Sequence, residues 1–133
     1  MVWFELAQVT DPAQVPAALS QALRVPLRSQ DPMPGLIAAL APLKLLLVID
    51  NAEHVAIAVA QLVQAIIANT HHVTIFVTSQ AALKLPQERV YRLGPLDIPD
   101  APLSASEALT YGAVALFAER AQAADRHFAV TDA

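Results

Sequence analysis

Five apolar residues run straight into an acid at Leu45-Leu46-Leu47-Val48-Ile49-Asp50. A continuous apolar run of this length reads as a strand buried on both faces. Such strands belong to parallel sheets, which place their ligand sites at strand carboxyl ends. Asp50 therefore stands where a carboxylate can hold a magnesium ion through water. The plain alternative is a solvated aspartate that caps a helix starting near Ala52.

The rest of the chain extends this pattern. Residues 2–6 read as a short strand, and Asp11-Pro12 as a helix start running to about Leu23. Residues 24–34 carry three prolines and read as a loop, with a short helix over 35–41. Val55, Val59, Leu62, Val63, Ile66 and Ile67 follow helical spacing, so 52–69 is an amphipathic helix. Residues 73–78 form the next buried strand, 80–85 a brief helical turn and 89–93 a fourth strand. The alternation predicts an α/β fold with a parallel sheet and packed helices.

A linker follows over 94–102, with three prolines. Ser104-Ala105-Ser106-Glu107 fits a capping box. It opens a helix over 107–124 whose apolar face carries Leu109, Ala113, Leu116, Phe117 and Ala121, and which Gly112 weakens by about 1 kcal/mol. The chain therefore divides into an α/β part at 1–98 and a helical part at 99–133. The tail after Asp125 carries no stop signal and reads as a chain cut in mid-structure.

Composition narrows the function. Hydrophobic residues make up 56% of 133, enough for a real core. The net charge is −4 and the eight basic residues are scattered, which disfavours direct nucleic-acid binding. With no cysteine, disulfide, iron–sulfur and thiolate-zinc chemistry are excluded. The adjacent His71 and His72 point in different directions and make a poor metal pair. The start has no signal-peptide pattern and no apolar tract spans a bilayer, so a cytoplasmic location is expected. Ser79 lacks a nucleophile elbow. Glu53 could pair with Asp50 as acid and base, but an acid in the first turn of a helix is commonly there for the helix dipole. The phosphate-cradling pattern G-x-x-x-x-G-K-[ST] is absent, and the three glycines include no Gly-Lys pair.

Five stretches in order resemble the ATPase module of STAND-class proteins, relatives of NB-ARC domains found in large bacterial transcriptional regulators of the LuxR and SARP types. Residues 2–6 resemble the strand after that family's P-loop helix. Residues 45–54 resemble its "LLLVLDNCEH" stretch, with Ala52 for cysteine, and 77–80 its "TSRE" stretch. Residues 88–96 resemble "GERVWRVPPL", and 108–124 the "AVRLFVERARAAD" helix that opens the next, helical subdomain.

The resemblance implies a three-layer P-loop NTPase-like fold lacking its first strand and P-loop, followed by the start of a helical subdomain. It implies ATP or ADP with magnesium as ligand of the intact module, with Asp50 at the metal and Asn51, Ser79 and Gln80 near the nucleotide. Asn51 stands where many hydrolysing relatives carry a second acid. Gln80 replaces a family arginine that senses the γ-phosphate, and glutamine supplies no positive charge. The family's first strand would lie between those matched by 73–78 and 89–93, leaving a gap here. That gap implies self-association and weak or no ATP binding by this chain alone. The partners implied are the remaining segments of a parent signal-transducing regulator. The competing reading is a small α/β protein-interaction domain without nucleotide.

Overall fold

The computed structural model of the chain describes residues 1–26 and 31–132. It is mixed α/β, with two compact units, Met1–Val90 and Tyr91–Ala133. The division falls eight residues before the one expected at 98.

The first unit contains β1 (Val2–Glu5), α1 (Val15–Ala22), α2 (Met33–Leu40), β2 (Leu45–Asp50), α3 (Ala56–Asn69) and β3 (Val73–Val77). Asp11 starts α1 as expected: its carboxylate accepts the Ala13 N–H at 2.9 Å, and Pro12 opens a 3₁₀ turn that feeds the helix. The helix ends with Arg24 at φ 56°, its N–H on the Gln21 carbonyl and that of Val25 on Ser20. This is a Schellman closure made without glycine. Within the loop expected at 24–34, residues 27–30 lie outside the described residues, and α2 already begins at Met33.

The three strands are parallel in the order β1-β2-β3, so β2 is central, as its apolar run requires. Both crossovers step the same way across the sheet, and right-handed connections then put both sets of helices on one face. Burial agrees. Phe4, Leu47 and Ile49 join Val15, Leu19, Leu36, Leu40, Val59, Leu62 and Ile66 in one core. The opposite face carries Trp3, Val48 and Phe76 in one cross-strand row. Trp3 is 57% and Phe76 58% exposed there. The first unit thus has two layers. The third layer of the expected three-layer arrangement is not formed within it, because no crossover in this unit runs the other way.

Two further expectations are corrected. Residues 89–93 form no strand: they make no backbone hydrogen bond among the described residues. β-propensity alone supplies no neighbour to pair with. The helical turn expected at 80–85 is also absent. There the Glu88 carboxylate accepts the N–H groups of Leu83 and Lys84, at 2.9 and 2.8 Å, with Lys84 at φ 61°. The carboxylate satisfies donors that a helical turn would have satisfied internally.

The second unit contains α4 (Ala105–Ala108) and α5 (Gly112–Ala124). The helix expected over 107–124 is therefore split. Tyr111 is extended (ψ 131°), and Gly112 becomes the first residue of a new helix rather than an interior weak point. The face expected to be buried stays open: Leu116 and Phe117 are exposed, and Ala118 is the buried residue of α5. Phe117 packs edge-on against Phe128, with centroids 5.8 Å apart.

The capping box forms as expected, with Ser104 and Glu107 bonded reciprocally. The Ser104 hydroxyl, then its backbone N–H, donate to the Glu107 carboxylate and hold its pKa below the ordinary glutamate value. A depressed carboxyl pKa stabilises the fold above its unfolded value, and that contribution is lost as pH falls through the folded value. Helical circular dichroism is therefore expected to drop on acidification below the ordinary glutamate range. A Glu107→Gln chain lacks that component, and an identical acid drop in both would refute the role of this pair.

Candidate functional site

The parallel register brings the carboxyl ends of β2 and β3 side by side, with Ile49 opposite Val77. The next residues weld the two tips together. The Thr78 N–H donates to the Ile49 carbonyl at 2.9 Å, and the Ala52 N–H to the Thr78 carbonyl at 3.0 Å. The Thr78 hydroxyl donates to the Asp50 carboxylate through Oδ1 and accepts the Asn51 N–H at 3.0 Å.

Asp50 is therefore not the helix cap that the plain alternative required. Ala52 occupies the N-cap position, with no side-chain cap bond. One carboxylate oxygen of Asp50 is fixed by Thr78, and no hydrogen bond reaches Oδ2 from another described residue. The side chain is only half-buried, so Oδ2 can face a water or a cation. Asn51 sits at φ 62°, a left-handed conformation that asparagine tolerates better than most residues. That reversal turns the chain from the strand tip toward α3.

The other expected residues are placed less tightly. Ser79 and Gln80 follow Thr78 directly and are exposed. The Ser79 hydroxyl accepts the Ala81 N–H at 3.2 Å, and Gln80 makes no hydrogen bond among the described residues. Asp50 and Asn51 are thus joined through Thr78, while Ser79 and Gln80 stand beside that junction. Glu53 lies in the 3₁₀ turn Glu53–Val55 and makes no hydrogen bond to Asp50, so no acid–base pair is assembled.

His54 has a structural task. Its Nε2 lies 3.2 Å from the Leu6 carbonyl and 3.0 Å from that of Val9. Both partners only accept, so Nε2 carries the proton and ties the start of α3 to the connection after β1. Among the described residues no group of three or more metal-ligating side chains gathers, so a cation here needs further ligands. A groove along α1, lined by Gln14, Ala17, Ala18, Gln21 and Val25, includes none of the site residues.

The sequence placed Thr78 at the end of the second buried strand but gave it no role of its own in the site. Its signal was a β-branched hydroxyl residue ending a strand next in order to one that ends in an acid.

The chain is similar to three uncharacterized mycobacterial proteins. One is from Mycobacterium bovis (strain ATCC BAA-935 / AF2122/97), and two are from Mycobacterium tuberculosis, strains CDC 1551 / Oshkosh and ATCC 25618 / H37Rv. Each is 29% identical over 127 residues, which covers 95% of this chain. The chain spans about a third of these relatives' length, 30% of each. No family model matches it, and no solved structure matches it. No helix among the described residues is long and apolar enough to cross a membrane.

Proposed function

We propose that these residues are the cation-binding and sensor part of a STAND-type regulatory ATP/ADP-binding module within a signal-transducing transcriptional regulator. The observation that carries the proposal is Asp50. It lies at the carboxyl tip of the central parallel strand, with one oxygen fixed by Thr78 and the other unengaged by a described residue. In this reading Asp50 holds magnesium through water, and Asn51, Ser79 and Gln80 line the nucleotide side of the strand tips. Gln80 provides no cationic group for a γ-phosphate, so the module acts as a nucleotide-dependent switch rather than an efficient hydrolase.

The phosphate-cradling loop belongs, in this reading, to residues outside these 133. Topology supports that division. A strand placed before β1 in the chain and paired with the open edge of β3 has to cross the sheet in the reverse direction. Right-handedness puts its connecting helix on the face that carries Trp3 and Phe76. One strand–loop–helix unit then fills the edge and covers the bare face, supplying the third layer.

Joined at its N-terminus to a strand, a G-x-x-x-x-G-K-[ST] loop and a helix, the chain is expected to bind ATP or ADP with magnesium. Asp50→Ala is expected to weaken the magnesium-dependent part by at least about tenfold. Titration with a fluorescent nucleotide, with and without magnesium, measures both. An absence of binding at high micromolar nucleotide would end this reading.

The second reading, a nucleotide-free protein-interaction domain, is favoured by the exposed Trp3 and Phe76 that flank the buried Val48 on that face. An interaction that survives Asp50→Ala unchanged, in an extended protein that binds no nucleotide, would favour it.

A further inference from the structure

The connection between the two compact units, at Val90 and Tyr91, is tied to the first unit just upstream, at Glu88. The Glu88 carboxylate spans two successive backbone donors, the N–H groups of Leu83 and Lys84, with one oxygen on each. Its own N–H donates to the Leu85 carbonyl at 3.0 Å. An ionised acceptor makes the stronger kind of hydrogen bond, and a two-oxygen grip fixes geometry as well. Beyond Glu88 the grip ends: residues 89–93 make no hydrogen bond among the described residues.

The gripped turn is not at rest by itself. Lys84 is held at φ 61°, a left-handed conformation that a lysine adopts at a cost. The carboxylate offsets that cost while it stays in place. Leu83 and Leu85 are only partly buried where they pack against the core. When the carboxylate leaves, two backbone donors lose their acceptor and Lys84 relaxes. The turn therefore has two states, and Glu88 selects between them.

We propose that Glu88 is a latch that sets the length of the tether between the two units. With the latch closed, the tether is Arg89 and Val90, and Tyr91 reaches about 10 Å from Glu88. With the latch open, the tether runs from Ser79 to Val90 and reaches about 40 Å from Thr78. Thr78 stays behind, because its N–H and hydroxyl are bonded to the tip of β2. Compact units joined by a short connection move relative to one another by default, so the latch decides the range of that motion. The released segment includes Ser79 and Gln80, which stand beside Asp50. Displacement of the second unit and a change at the strand tips thus act on one element, and each biases the other. A link to nucleotide rests on the reading of Ser79 and Gln80 given above, whereas the latch and its tether do not.

The full 133-residue chain tests this, and with no cysteine it takes introduced thiols cleanly. Spin labels at Gln61→Cys on α3 and Glu119→Cys on α5, both exposed positions, report the spread of distances between the units by pulsed electron resonance. Glu88→Gln keeps the size of the side chain but leaves one acceptor oxygen, and Glu88→Asp keeps the charge but is one methylene short. Each is expected to widen the distance distribution by at least about twofold. Each is also expected to speed amide exchange at Leu83 and Lys84 by at least about tenfold, with circular dichroism unchanged. The Ala81 amide, held by the Ser79 hydroxyl, is expected to speed up with them. An unchanged distribution in both variants overturns the proposal, and so does native exchange at Leu83 and Lys84. A Glu88→Asp chain identical to the native one overturns the two-oxygen grip. Native exchange at Ala81 beside fast exchange at Leu83 and Lys84 overturns the link to the strand tips. Nucleotide enters none of these readouts, so their failure and a failure of nucleotide binding are told apart.

Discussion

Leu47→Ala is expected to cost about 3 kcal/mol of folding stability, while Leu46→Ala costs under about 1 kcal/mol. The two leucines are adjacent on the central strand and look equivalent in sequence. Leu47 is fully buried against the helices, together with Ile49, Leu62 and Ile66. Removing its side chain leaves a cavity that its neighbours cannot fully close. Leu46 points the other way and is 38% exposed, so its truncation returns little buried surface to water. Urea unfolding of both variants measures the difference. Equal losses would mean that the second face of the sheet is covered after all. Filling the edge and face with a strand–helix unit should raise the cost of Leu46→Ala toward that of Leu47→Ala.

Thr78→Val should destabilise the first unit by about 2 kcal/mol, and Thr78→Ser by much less. Valine keeps the shape and β-branching of threonine but removes the hydroxyl. Asp50 then loses its donor, and the Asn51 N–H loses its acceptor, at a residue already held at φ 62°. Serine restores both bonds. The two bonds join strand tips 27 and 28 residues apart in sequence, so their loss also loosens the turn that presents Asp50. Chemical denaturation gives the stability change, and amide exchange at Asn51 gives the local one. If Thr78→Val leaves the Asn51 amide as protected as in the native chain, the junction is not what orders this turn.

Much of the fold was legible because its signals are local. The run ending at Asp50 announced a buried strand, the spacing from Val55 to Ile66 announced α3, and Ser104 with Glu107 announced a cap. Non-local facts were hidden. Residues 89–93 have the composition of a strand, yet a strand exists only where a neighbour offers its edge. The turn at 80–85 was lost to the Glu88 carboxylate, whose reach no propensity encodes. Gly112 reads as an interior weak point until the extended Tyr111 makes it a beginning. At the site, Asp50 was visible because it ends a strand, but its orientation comes from Thr78, a long-range partner. Whether the helices cover one face or two depends on the direction of each crossover, which only the strand order reveals.

That strand order also shapes how the polypeptide acquires its fold. Each strand pairs with the strand that precedes or follows it in the chain. During synthesis the amino-terminal end emerges first, so β1 and α1 are already outside the ribosome when β2 arrives to meet them. β3 then needs only the preceding helix–strand pair to dock. Among the three described strands no early one has to wait for a distant late one, so this part of the growing chain can consolidate step by step. A construction of this kind favours vectorial folding, strand by strand. The last strand laid down, β3, is the one left with an open side when the process ends.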